Sequence, residues 1–278
     1  MSQKSPVTLP EGFVEFYEDI ETWQNEFFFR LKKRQPELAR QDAIPLLRRE
    51  GRPLIEVVGF EIDIADYRQA FVEFAQLLKS RREKSAVFVD TLLAMEEELD
   101  HEQLVTRSLE NDRGYFADLE TRTGVPRNIL QMISQHALRP FLRLFALPYE
   151  ESIRSDENLS WGKGMCPVCG AAPSISRVRA QDGRRFLFCE ECFTEWEHRY
   201  LACIYCGNDE PTTIRYFVVE GDDANQLFVC DKCRGYLKNY DERRARARND
   251  MFITNIRTIY LDLLAEQKGY GHRESNFN

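Results

Sequence analysis

The sequence lacks any apolar run that could cross a membrane. A transmembrane helix needs about 18 or more consecutive apolar residues, and no such stretch occurs in the 278-residue chain. Residues 1–11 are polar, so no N-terminal signal peptide is expected. Without a secretory signal we expect the protein in a reducing cytoplasm, where cysteine thiols stay free to bind metal.

An excess of positive charge is also absent. The chain carries 38 Lys and Arg against 46 Asp and Glu, a formal net charge of −8, which argues against general affinity for nucleic acid or anionic membranes. Residues 161–240, where the chemistry is concentrated, hold ten basic and eleven acidic side chains. The one basic run, Arg243, Arg244, Arg246 and Arg248, directly follows Asp241 and Glu242.

The common catalytic motifs are missing as well. The chain contains no Walker loop, no G-x-S-x-G elbow and no H-E-x-x-H motif, so we predict that it is not an enzyme. The run Glu96–Glu98 is typical of a solvated helix face. The four histidines are scattered and are interpreted as surface or capping residues: His101, His136, His198 and His272.

Cysteine is absent from the first 165 residues and then occurs in one arrangement only. All eight cysteines form C-x-x-C pairs, which we call knuckles 1 to 4: Cys166/Cys169, Cys189/Cys192, Cys203/Cys206 and Cys230/Cys233. A tetrahedral metal site needs four thiolates around one ion, and each knuckle offers two sulfurs on one tight loop. The sequence therefore predicts that all eight cysteines are metal ligands.

The spacing between knuckles predicts how they pair. Nineteen residues separate Cys169 from Cys189 and 23 separate Cys206 from Cys230, close to zinc-ribbon spacing, whereas ten separate Cys192 from Cys203. Each long gap holds a hairpin pattern, the first centred on Asp182-Gly183. We therefore assign knuckles 1 and 2 to site 1 and knuckles 3 and 4 to site 2. Cross-braced pairing of knuckle 1 with knuckle 3 is the alternative.

Two other uses of paired cysteines compete with metal binding. Structural disulfides are disfavoured because a secretory signal is missing. Thiol–disulfide catalysis would need a knuckle at the start of a helix after a strand, with a lowered thiol pKa. A metal in a closed four-sulfur site is by default structural, so the surrounding surface could carry the function.

The rest of the chain has helical periodicity. Apolar residues recur at intervals of three and four from Glu11 to Lys33, before Pro36, and again around Pro140, which we expect to kink or divide its helix. Residues 150–164 form a candidate linker. A single amphipathic helix is expected from Asp241 to near Gly269, docked on the N-terminal helices.

These patterns predict an α+β protein: a helical N-terminal domain followed by two tandem rubredoxin-like or zinc-ribbon modules and a C-terminal helix. The expected boundaries are residues 1–160 for the helical domain, 161–200 and 201–240 for the two ribbons, and 241–278 for the C-terminal helix.

The knuckles also carry a family resemblance. The segments C-P-V-C-G-A-A-P, C-E-E-C-F-T-E-W and R-Y-L-A-C-I-Y-C-G, followed by D-K-C-R-G-Y-L-K and L-D-L-L-A-E-Q-K-G-Y, resemble the FdhE family of formate dehydrogenase accessory proteins. The resemblance is specific from about residue 166 onward. It implies a cytoplasmic maturation factor that binds the catalytic subunit of formate dehydrogenase before export and is needed for active enzyme. It also implies that the eight cysteines hold iron in rubredoxin-like sites.

Three classes of function stay open at this point. The first is the chaperone-like accessory protein, the second a zinc-ribbon nucleic-acid-binding protein, and the third a small electron-transfer protein. Four thiolates accept either iron or zinc, so the ligand set alone does not choose the metal.

Overall fold

The structure is a computed structural model that describes residues 2–3, 9–34, 40–155, 161–245 and 247–271. The predicted end of a helix at Pro36, part of the predicted linker, Arg246 and His272 lie outside these residues. Within them the chain is α+β, a helical N-terminal region followed by a sheet region with two four-cysteine clusters, as predicted.

The helices of the N-terminal region precede most of the sheet in the chain. Their bounds are α1 Phe13–Arg34, α2 Ala43–Glu50, α3 Leu54–Val57, α4 Ile64–Arg81, α5 Ala86–Ala94, α6 His101–Leu109, α7 Arg113–Thr123, α8 Arg127–Ala146 and α9 Glu150–Ser155. α8 continues through Pro140, so that proline does not divide the helix. α9 occupies the first part of the predicted linker, where Ile153 is buried and the helix packs against the sheet.

The chain forms two compact units that are not continuous in sequence. One, the helical unit, consists of residues 18–37 and 60–145. Its core is built from large side chains on helices with the predicted periodicity, including Phe27, Phe71, Phe74 and Phe116, which are almost completely buried. The expected domain boundaries at residues 160, 200 and 240 remain a prediction about which segments fold as separate units.

The helical unit also buries polar side chains that the sequence patterns do not reveal. Glu96, predicted to be solvated, is buried and accepts hydrogen bonds from Arg68 at 2.7 Å and 2.6 Å, while His101 lies 2.8 Å from it. His136 lies 3.0 Å from the Gln24 side chain. The interpretation of His101 and His136 as surface residues is wrong, because both lie in the helical core with polar partners.

The other unit, the sheet unit, contains residues 1–17, 38–59 and 146–278. Its strands are β1 Ser2–Gln3, β2 Ile175–Val178, β3 Arg185–Phe188, β4 Glu195–His198, β5 Ile214–Val219, β6 Asp222–Cys230 and β7 Tyr236–Asp241. Each ribbon contributes a three-stranded antiparallel meander, β2–β3–β4 and β5–β6–β7. The hairpins around Gly183 and Gly221 were predicted, whereas β4 and β7 were not.

Strands β2 and β7 join the two ribbons into one sheet. They pair in parallel, with Ile175 opposite Lys238 and Val178 opposite Asp241. Among the described residues this gives a seven-stranded sheet in the order β1-β5-β6-β7-β2-β3-β4. The two ribbons therefore share a continuous hydrogen-bonded ladder.

The predicted C-terminal helix is divided into α10 Glu242–Ala245, α11 Met251–Arg257 and α12 Ile259–Gln267. Asp241 belongs to β7, and Asp250 caps α11 by accepting from the Ile253 N–H. The apolar residues that were expected to form one stripe are divided as well, between two different packing partners. Phe252 of α11 lies 6.4 Å from the Tyr17 ring of α1, whereas α12 packs on β6 and β7. α12 covers an apolar face of the second ribbon, around Leu227 and Val229.

Candidate metal centres

Each knuckle lies either at the turn between two strands or in the segment that leads to a strand. Knuckle 1 precedes β2 and knuckle 2 connects β3 to β4. In the second ribbon, knuckle 3 precedes β5, and knuckle 4 connects β6 to β7. The hairpin of each ribbon therefore brings its two knuckles to the same end of the meander.

The four knuckles repeat one backbone turn. In each, the residue after the second cysteine donates its N–H to the carbonyl of the first cysteine, at 3.0 Å for Gly170, 2.8 Å for Phe193, 3.0 Å for Gly207 and 2.8 Å for Arg234. All four donors have a positive φ, between 60° and 78°. This turn directs both sulfurs of a knuckle to the same side, as a chelating pair requires.

The sulfurs form two groups of four. Cys166, Cys169, Cys189 and Cys192 make up site 1, and Cys203, Cys206, Cys230 and Cys233 make up site 2. Within each group all Sγ atoms lie within 4.8 Å of one another, with Cys169 Sγ 3.4 Å from Cys189 Sγ at site 1 and Cys203 Sγ 3.6 Å from Cys233 Sγ at site 2. The tandem pairing is therefore confirmed, and the cross-braced alternative is wrong.

The donor set fits a tetrahedrally coordinated ion. Metal–sulfur bonds of about 2.3 Å place the sulfurs of a tetrahedron about 3.8 Å apart, close to the separations in both sites. All donors are soft sulfur atoms, the ligand class that iron and zinc both accept. Two four-cysteine groups that could hold metal are thus present, and the ligands alone do not distinguish iron from zinc.

Hydrogen-bond donors around the sulfurs complete each site. The Val168 N–H lies 3.4 Å from Cys166 Sγ and the Gly235 N–H 3.4 Å from Cys233 Sγ. Asn208 Nδ2 lies 3.5 Å from Cys230 Sγ. The Thr194 hydroxyl accepts from the Cys192 thiol at 3.1 Å and can donate to this sulfur once the thiol has lost its proton. Such donors stabilise thiolates. Sequence reasoning missed Thr194 and Asn208, although each stands two residues after the second cysteine of its knuckle.

The pKa values of the thiols bear on how the clusters bind a metal cation. At site 1, hydrogen bonds from Cys169 to Cys166, Cys189 and Cys192, together with burial, hold the pKa of Cys169 well above its ordinary value. At site 2, burial raises the pKa of Cys233 to about 11. Four thiolates cannot share so small a volume without a cation between them. Metal binding must therefore displace protons, and metal affinity should fall at low pH.

The three histidines within the described residues, His101, His136 and His198, take no part in these clusters. His198 is buried in β4, where its Nδ1 lies 3.1 Å from the Arg199 carbonyl oxygen, so its interpretation as a surface residue is wrong. In the part of the chain that the structure describes, no further group of three or more potential metal ligands occurs.

Comparison with known proteins identifies the relatives of this arrangement. Residues 165–198, which contain all four cysteines of site 1, match the sequence model of the FdhE central domain. The resemblance to the FdhE family is confirmed. An FdhE homologue of Aquifex aeolicus is 33% identical over 158 residues, covering 55% of this chain and 53% of the relative. One from Shewanella oneidensis is 31% identical over 123 residues, covering 42% and 39%.

The matched segments thus span about half the length, or less, of these curated FdhE relatives. The crystal structure of the FdhE protein from Pseudomonas aeruginosa covers 97% of this chain and 96% of its own, with a TM-score of 0.60 and 18% identity. At that identity the likeness shows a shared fold. Across the described residues, no helix has both the length and the apolar character that a bilayer crossing demands.

Proposed function

We propose that this chain is a cytoplasmic accessory protein of formate dehydrogenase, which binds the catalytic subunit and is needed for formation of active enzyme. The observation that carries the proposal is a pair of four-cysteine clusters in a chain whose residues 165–198 match the FdhE central domain. The full-length likeness in fold to an FdhE protein supports it. The chain acts here as a binding partner of the enzyme and not as a catalyst.

We propose further that the eight cysteines hold two metal ions, one in each site. Thiolates select soft or borderline metals, and the family resemblance favours iron, with zinc as the alternative. Iron would supply a one-electron couple, whereas zinc would supply none. The residues of the chain provide the four sulfurs of each site, the N–H and hydroxyl donors around them, and the sheet that positions both knuckle pairs.

A nucleic-acid-binding function has less support. The basic run that most favours it is partly neutralised, since Arg243 lies 2.8 Å and Arg244 3.5 Å from the Asp241 carboxylate. Phosphate recognition needs cations that are available for phosphate oxygens. These two arginines instead compensate a buried carboxylate at the end of β7.

A complementation experiment tests the proposed function. Formate dehydrogenase activity is measured in cells that lack this protein, with and without a tagged copy, and the tagged copy is used to capture the catalytic subunit. We expect activity to be lost and then restored by the wild-type copy, with the catalytic subunit recovered on the tag. Undiminished activity in the cells that lack the protein would exclude the proposal.

The role of the metal is tested in the same cells. The double variant Cys189→Ser, Cys230→Ser removes one ligand from each site and should fail to restore activity. The matched control is Lys232→Ser, at an exposed position between the cysteines of knuckle 4, which should restore it. Equal restoration by purified iron-loaded and zinc-loaded protein in a maturation assay would exclude a redox role for the metal.

A further inference from the structure

The two four-cysteine sites differ in their exposure to solvent. At site 1, Cys166, Cys189 and Cys192 are 0% exposed, and Cys169 is partly buried. At site 2, Cys206 is exposed and Cys233 partly buried, while Cys203 retains 8% exposure. The ligand sets are chemically identical, so any difference in their behaviour must come from the surrounding chain.

Knuckle 1 is enclosed by a segment from the helical region of the sequence. At the start of α3, the Leu54 N–H donates to the Pro167 carbonyl at 2.8 Å, and the Ile55 N–H donates to the Val168 carbonyl at 2.9 Å. These bonds fix the two residues between the cysteines of knuckle 1. A Cβ built on Gly170 would lie 3.2 Å from the Pro53 ring, so α3 also covers the turn itself.

Two tryptophans donate hydrogen bonds to the segment that precedes knuckle 1. Trp161 Nε1 donates to the Met165 carbonyl at 2.7 Å, and Trp196 Nε1 donates to the Lys163 carbonyl at 3.2 Å. On the side of knuckle 2, the Phe193 ring packs at 5.8 Å on Phe252 of α11. Elements distant in sequence therefore surround site 1 on several sides.

In knuckle 3, the turn position that corresponds to Gly170 is not covered by another element. A Cβ built on Gly207 would meet no atom within 4 Å, although Gly207 occupies the same place in its turn as Gly170. The turn is held by short-range hydrogen bonds, from the Cys203 N–H to the Asn208 carbonyl at 2.8 Å and from Asn208 Nδ2 to the Thr213 hydroxyl at 2.8 Å. The side of site 2 that carries Cys206 thus faces solvent.

We propose that site 2 is an exchangeable metal centre, whereas site 1 releases its ion much more slowly. Exchange requires an entry path by which a competing donor, such as a thiolate or a small chelating ligand, can approach the ion. The exposed ligand Cys206 provides this path, since an incoming donor would replace its thiolate and the released thiolate would take up a proton from water. At site 1 the same replacement requires α3 or the tryptophan-held loop to open. The inference rests on the proposed binding of metal by both sites.

Metal release from the intact, zinc-loaded protein tests this inference. Total zinc is measured first, and an excess of a chromogenic chelator is then added. We expect two release phases of equal amplitude, the faster by on the order of tenfold or more, because site 1 must first open locally. A single phase that releases both ions would overturn the inference. Failure to bind zinc or iron at all would instead overturn the proposed metal binding.

Ligand variants assign the phases. Cys206→Ser should remove the fast phase, and its matched control Cys169→Ser should remove the slow one, because each is the most exposed ligand of its own site. The phase that remains in each variant should be somewhat accelerated, because loss of one site also loosens the sheet that both ribbons share. Alkylation of wild-type protein with iodoacetamide during release, mapped by mass spectrometry, gives the same assignment without a variant. Cys206 should be modified before every cysteine of site 1, and earlier modification of Cys169 would contradict the proposal.

Discussion

The residue after the second cysteine of each knuckle is held at positive φ, which favours glycine. Gly170 and Gly207 meet this demand without strain, but Phe193 and Arg234 adopt φ values of 62° and 60°. Their side chains explain the exception. Phe193 packs against Phe252, and Arg234 donates to the Lys268 carbonyl at 2.8 Å and the Gly269 carbonyl at 3.1 Å. Knuckles 2 and 4 therefore contact the C-terminal helices in addition to providing sulfur ligands.

Gly164 is required for a different reason, a close approach between two backbones. A Cβ at this position would lie 2.0 Å from the Ile204 carbonyl oxygen, which belongs to knuckle 3. We expect Gly164→Ala to destabilise the sheet unit by about 2 kcal/mol or more, because backbone atoms cannot move aside as a flexible side chain would. The measurement is urea unfolding of metal-loaded protein. Gly271→Ala, where a Cβ has open space, is the control and should change little.

His198 should make the sheet unit sensitive to acid. Burial, aided by the nearby charge of Arg185, lowers the pKa of His198 to about 4. The folded protein keeps the imidazole neutral while the unfolded chain binds a proton below about pH 6.5, so stability is lost as pH falls from there. We expect a loss of about 2 kcal/mol between pH 7.5 and pH 5 from this group.

The substitution His198→Gln tests this assignment. The glutamine amide cannot titrate but can still donate to a carbonyl, so urea unfolding midpoints of the variant should depend less on pH over the same range. An unchanged pH dependence would show that other groups, such as His136, whose pKa burial also lowers, dominate the acid response.

At the scale of elements, local patterns in the sequence predicted the helices and the two hairpins, but not how the ribbons join. Asp182-Gly183 encodes a two-residue turn, and the apolar spacing of α1 encodes a helix face. The pairing of β2 with β7 joins residues more than 60 positions apart, and nothing local specifies it. β4 and β7 were also missed, although the tandem knuckles offered a signal, since each begins three residues after the last cysteine of its ribbon.

Polar contacts determine where α12 docks, whereas the apolar pattern of the sequence predicted only that a helix is present. Asp262 of α12 accepts from the Tyr236 hydroxyl at 2.9 Å and from Lys238 Nζ at 2.7 Å, both on β7. At its C-terminal end, the Arg234 guanidinium lies 3.9 Å from the centre of the Tyr270 ring. The end of α12 is therefore attached directly to knuckle 4.

Arg234→Gly should release this end of the helix. Glycine keeps the positive φ of the turn but removes the hydrogen bonds to the Lys268 and Gly269 carbonyls, so hydrogen-exchange protection in the last turn of α12 should fall by roughly tenfold. Metal content should be unchanged, because no ligand is lost. Lys232→Gly, an exposed position in the same knuckle, is the control. Equal protection in both variants would show that Tyr236, Lys238 and Asp262 are sufficient to hold α12.

At the scale of the whole molecule, the shared sheet changes the expected consequence of losing one site. With two separate ribbons, a variant such as Cys189→Ser would unfold the first ribbon alone. In the structure, β2 of the first ribbon pairs along its length with β7 of the second, and the buried Ser176 hydroxyl donates to the Asn239 side chain at 2.9 Å. Loss of site 1 should therefore spread through the sheet.

We expect Cys189→Ser to reduce hydrogen-exchange protection in both meanders while α4 and α8 of the helical unit retain theirs. A four-thiolate site contributes on the order of 10 kcal/mol of folding free energy, enough to decide the stability of the sheet. The helical unit has a separate core around Phe71, Phe74 and Phe116. The measurement is exchange followed by mass spectrometry, with Lys232→Ser as the control. Retained protection in β5 and β6 would show that the ribbons fold independently, and lost protection in α4 would show that the two units unfold as one.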